Sequence, residues 1–75
     1  MRVTYDASVD AAYIYLAGDG IGAGEVEFTY ACDPNEVGGM IHLDFDKSGV
    51  LLGVEVLAAS KLLPKQLLQE ALSDG

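Results

Sequence analysis

The chain has 75 residues, half of them apolar, and carries twelve acidic against four basic side chains for a net charge of −8. That length fits a single domain, 1–75, which buries only about 60% of its unfolded surface and so has a thin core. The charge has the wrong sign to grip a phosphate backbone, which argues against nucleic acid as a ligand and favours a basic protein or a cation.

The opening residues, MRVTYDASVD, lack an apolar run behind their charge and do not read as a signal peptide. RVTY is a short extended run with Val3 and Tyr5 on one side, and Asp6 to Asp10 supplies a turn. AAYIYL alternates, placing Ala12, Ile14 and Leu16 on one face and Tyr13 and Tyr15 on the other. Apolar stretches of this length are far too short to span a bilayer, so no membrane segment is expected. AGDGIGAG, with four glycines in eight residues, is a flexible connection. EVEFTYAC alternates with Val26, Phe28, Tyr30 and Cys32 inward. DPNEVGG is a second turn, and MIHLDFD points Ile41, Leu43 and Phe45 inward and His42, Asp44 and Asp46 outward. VLLGVEVL then contributes Leu52, Val54 and Val56 to the core.

The period changes near residue 58. PKQLLQEAL sets Leu67, Leu68, Ala71 and Leu72 on one helical face, and Pro64 suits a first helical turn because its missing N–H would be unpaired there. ASKLL forms a helical turn leading in. The resulting expectation is an α+β fold. Four or five antiparallel strands in meander order occupy about 2–57, and one amphipathic helix, about 64–73, packs on one face.

DFDKSGVLLGVE, residues 44–55, places Asp44, Asp46, Ser48, Gly49 and Glu55 at the spacing of a helix–loop–helix calcium site. Such a loop needs a helix on each side. Pro34, Gly38 and Gly39 precede it, and the alternation through Ile41, Leu43 and Phe45 runs straight into it. Gly53 and three valines follow, again favouring extended chain. Asp46-Lys47-Ser48-Gly49 therefore reads as a tight turn between two strands, with a cation site at Asp44, Asp46, Ser48 and Glu55 as the weaker alternative.

Other chemistry is sparse. His42 stands beside Asp44 on one strand face, a pair that could act as a general base but has no nucleophile with it. One histidine and one cysteine cannot supply the three or four nitrogen and sulfur ligands of a zinc site. Cys32 reads as a small buried hydrophobe, and a lone thiol suits a reducing cytoplasm. The glycine-rich segment lacks the lysine and following helix of a phosphate loop. Asp6 and Asp10 read as turn aspartates. No enzyme activity and no cofactor are expected. The face opposite the core carries Tyr13, Tyr15, Met40, Leu51 and Leu57, a set that suggests an interaction surface, with homodimerisation as its simplest use.

YDASVDAAYIYL and LDFDKSGVLLGVEVLAASKLLP together resemble the small bacterial family known as domain of unknown function 2283. The resemblance rests on Tyr5, Asp6, Asp10, Tyr13, Ile14, Asp46, Gly49, Gly53, Glu55, Ala59 and Ser60, and the stretch from Gly18 to Met40 departs from the family pattern. It implies a compact sheet with a C-terminal helix, supports the hairpin reading of 44–55 and brings no catalytic residues. It also implies an antitoxin-like role, because some relatives accompany toxin-like proteins. The function expected is a cytoplasmic, non-enzymatic protein-interaction or homodimerisation module. An acidic inhibitor of a basic toxin or nuclease is the alternative.

Overall fold

The computed structural model describes every residue except Asp19, in the glycine-rich connection, and Gly75, and of Ser73 and Asp74 the backbone alone. Five antiparallel strands form one sheet: β1 (Arg2–Asp6), β2 (Ala11–Tyr15), β3 (Phe28–Ala31), β4 (Ile41–Phe45) and β5 (Leu51–Leu57). The described residues also form three helices: α1 (Pro34–Val37), α2 (Ala59–Leu62) and α3 (Lys65–Asp74). None of the described helices is long and apolar enough to cross a membrane. The antiparallel α+β architecture with its C-terminal helix is as the periodicity predicts.

The strand order is β1-β2-β5-β4-β3. A strict meander would set β3 beside β2, so the expected order needs correcting. The connection after Tyr15 carries the chain to the far edge, and the β3-β4-β5 run winds back until β5 meets β2. β5 is the longest strand and contains the buried Leu52, Gly53 and Val56, so the centre of the sheet is where its burial is best satisfied. The predicted strand EVEFTYAC shortens to Phe28–Ala31, with backbone bonds from Glu27 N to Phe45 O and from Cys32 N to Ile41 O at its ends.

Residues 44–55 form the β4–β5 hairpin, with strands rather than helices on both sides. Asp46 Oδ1 accepts from the N–H groups of Ser48 and Val50, and Gly49 turns the corner at φ 84°, where a side chain would be strained. DPNEVGG, expected to be a plain turn, closes into α1. Asp33 caps its start by accepting from Asn35 N, Pro34 takes the first position, and Gly38 ends it at φ 77°.

The core lies on one side of the sheet. Ala12, Val56, Ala59 and Leu68 are buried against one another, with Tyr5, Ile41, Val54, Leu62 and Leu63 packed around them. Among the described residues Val56 is the one large side chain whose exposure falls to 1%. The α3 helix buries Leu68 and Ala71 and lies against β1, an edge strand, so its flank beyond the sheet meets solvent and Leu72 is exposed despite its place on the apolar stripe. Phe28 and Tyr30, expected inward, are 53% and 56% exposed on the helix-side surface, because β3 is an edge strand and the buried core cluster draws no residue from it.

A clasp ties the first hairpin to the helices. Asp10 sits at φ 54°, a region that aspartate tolerates better than most residues, and its carboxylate gathers three donors. The Tyr5 hydroxyl donates to Oδ1 at 2.6 Å, and Ser60 donates its N–H to Oδ1 at 2.9 Å and its hydroxyl to Oδ2 at 2.7 Å. Ala59 N donates to the Asp10 carbonyl at 2.9 Å. Residues fifty apart in sequence are thereby joined at the point where β5 gives way to α2.

Candidate functional site

Strand alternation and the register build the second sheet face row by row. One row crosses the strands as Thr4, Tyr13, Glu55, His42 and Ala31. The next runs Arg2, Tyr15, Gly53, Asp44 and Thr29. A third holds Asp6, Ala11 and Leu57, and Leu57 N donates to the carbonyl of the exposed Met40. The core cluster and its helices occupy the opposite side.

Gly53 organises this face. A Cβ there would overlap the Tyr13 ring, whose Cζ stands 2.7 Å from where it would sit. With no side chain in the way, the Tyr13 ring lies across β5 and its hydroxyl donates to Asp44 Oδ2 on β4. The Thr29 hydroxyl donates to the other oxygen, Asp44 Oδ1, from β3. Tyr13 and Tyr15 rest against each other with ring centroids 4.6 Å apart and planes at 49°. Partial burial, then the bonded and charged Asp44, push the Tyr13 phenol well above its ordinary range.

The histidine does not pair as its strand position suggests. His42 Nδ1 lies 2.9 Å from Glu55 Oε1 across the strand boundary, while Asp44 is taken up by Tyr13 and Thr29. Directly opposed residues on neighbouring strands approach to about 5 Å, closer than successive same-face residues along one strand, so the cross-strand partner wins. Every acid in these two rows thus already accepts a hydrogen bond from within the chain.

Of the residues expected on the interaction face, Tyr13, Tyr15 and Leu57 are half-buried within it, and Met40 borders it beside Leu57. Leu51 lies past a register shift that leaves Leu52 unopposed by β4, and it pairs with Phe45. The four residues of the cation alternative are each engaged separately. Asp44 is held by Tyr13 and Thr29, Asp46 caps its turn, Ser48 donates into that cap, and Glu55 meets His42 two register pairs away. Among the described residues, no three histidine, cysteine or acidic side chains converge as a metal site would need. Cys32 is a half-buried free thiol. The sequence reading missed Thr29 and Glu55 as members of the network. The available signal was Gly53 itself, since glycine inside an apolar strand marks a close approach of another group.

A family model described as a protein of unknown function (DUF2283) matches residues 2–60, as the resemblance in the two end blocks predicts. No curated protein and no solved structure matches the chain.

Proposed function

The chain belongs to the family described as a protein of unknown function (DUF2283), and from that premise we propose a non-catalytic protein-interaction module whose helix-free sheet face pairs with a second copy of the chain. The observation that carries this reading is the one-sided layering: helices pack on one side of the sheet, and Tyr13, Tyr15 and Leu57 stand on the other. A sheet gains most stability when both faces are covered, and the core cluster with α2 and α3 covers only one of them.

The composition of the face fits. Tyrosine and methionine are favoured at interfaces, and large rings contribute contact area at low conformational cost. The acids there are internally bonded, so covering them leaves fewer unpaired groups than bare carboxylates would. Overall extents of 32 × 31 × 17 Å give a flat molecule with room for the roughly 800 Å² per partner of an ordinary interface. A two-fold pairing would use one patch twice.

Light scattering on the purified chain and on a Tyr15→Lys/Leu57→Lys variant tests the proposal. Twice the monomer mass is expected for the parent at high micromolar concentration, and the monomer mass for the variant with an unchanged circular-dichroism spectrum. Because each copy carries −8, added salt should tighten the dimer by screening repulsion. A parent chain that stays monomeric at about 1 mM, the weak end of specific association, would overturn the reading, as would a variant that still dimerises.

A further inference from the structure

The two ends of the sheet are guarded differently. At one end β1 has α3 packed against it. At the other, all four residues of β3 are exposed, and none is the lysine or proline that commonly blunts a free edge. Cys32 N donates inward to Ile41 O at 2.9 Å and, at the strand's start, Glu27 N donates inward to Phe45 O at 2.8 Å; between these ends antiparallel pairing alternates, so Tyr30 directs its backbone groups to β4. Thr29 and Ala31 therefore turn theirs outward, away from the sheet.

The side chains around this edge have a consistent chemistry. Phe28 and Tyr30 stand exposed on the helix-side surface, and the Phe28 ring stacks on Phe45 with centroids 4.9 Å apart and planes at 13°. Glu25, Glu27, Asp33 and Glu36 flank the strand, all exposed. From Val3 to Asp46 the chain contains nine acids and no lysine or arginine. The edge thus offers backbone donors and acceptors, a pair of aromatic rings on one side and negative charge at both ends.

We infer that β3 is a docking edge for an extended, lysine- or arginine-rich segment of another protein, which adds to the sheet as a sixth strand. Outward groups of Thr29 and Ala31 supply the ladder, apolar side chains of the incoming strand rest beside Phe28 and Tyr30, and its cations meet Glu25, Glu27, Asp33 and Glu36. A second copy of this chain is the poorer occupant, because antiparallel self-pairing would bring these acids together. The surface is separate from the sheet face assigned to dimerisation, so either assignment stands or falls without the other.

The probe is a fluorescein-labelled ten-residue peptide of alternating lysine and valine, titrated against the intact protein by anisotropy. A peptide with the same lysines but with proline in place of alternate valines is the control, since it keeps the charge and cannot form a ladder. Tighter binding of the alternating peptide is expected, by about tenfold or more, falling at least about tenfold between 20 and 300 mM salt. Amide hydrogen exchange should slow at Thr29 and Ala31. Ala31→Pro removes one outward donor, and Glu25→Gln/Glu27→Gln leaves the backbone intact; each should weaken the alternating peptide several-fold. Equal affinity for the two peptides, protection confined to Tyr13 and Tyr15, or self-association that Ala31→Pro abolishes would each overturn the inference.

Discussion

Asp10 shows how a residue that reads as ordinary turn chemistry does structural work over a long range. Its carboxylate pKa lies below the usual range, first because the Tyr5 hydroxyl donates to it and then because Ser60 does. The same bond raises the Tyr5 phenol. The Asp10 contribution to stability is therefore complete above its unfolded pKa, near 4, and is lost as pH falls through the lower folded value. The Tyr5 and Tyr13 contributions are complete below an unfolded value near 10 and are lost as pH rises through their higher folded values. Asp10→Ala removes three hydrogen bonds and leaves a side chain poorly suited to φ 54°; a fall in Tm on the order of 10 °C is expected by calorimetry at pH 7, shrinking as the comparison moves to pH 3. Ultraviolet titration of the phenols should show Tyr5 and Tyr13 ionising only above the ordinary tyrosine range, and Tyr13→Phe should remove one of these late steps. Simultaneous titration of both near pH 10 in folded protein would contradict their bonding to Asp10 and Asp44. Sequence indicates that Asp10 ends a hairpin, but not that Ser60 waits fifty residues away. Likewise the Tyr13–Asp44–Thr29 and His42–Glu55 partnerships exist only once the register is set.

At the scale of elements, the two-residue alternation guides the strands that have two neighbours, except at Leu51, where the register shift sets it against Phe45. It places Ala12, Leu52 and Val56 in the core and continues through the acidic bend as a hairpin. It misleads at β3, where Phe28 and Tyr30 obey the alternation yet meet water because the core cluster does not extend to that edge. Strand order is also hidden, since the long connection after Tyr15 is compatible with either edge until the burial of β5 decides it. The hairpin makes two checkable claims. Gly49→Ala should destabilise by about 1–2 kcal/mol in urea unfolding, the cost of a side chain at positive φ, without any local clash. Millimolar calcium should leave Tm unchanged; a rise of several degrees would mean that Asp44, Asp46, Ser48 and Glu55 rearrange to hold the ion.

For the whole molecule, the decisive property is its imbalance: helices and core on one side of a five-stranded sheet, an ordered aromatic and acidic surface on the other, and an open acidic edge at β3. The DUF2283 residues that the structure engages most visibly, Tyr5, Asp10, Asp46, Gly49, Gly53 and Ser60, fasten hairpins, seat Tyr13 and join the sheet to α2. They build the platform on which the proposed surfaces stand. The proposed dimerisation and the proposed basic-strand docking should respond to salt in opposite directions, which separates them in one titration. Mass-spectrometric footprinting of the four tyrosines, at dilute and concentrated protein, most directly identifies the face that a second copy covers. Tyr15 is expected to become protected on concentration while Tyr30 stays reactive. Protection of Tyr30 with Tyr15 unchanged, or of neither, would contradict the proposed dimer face.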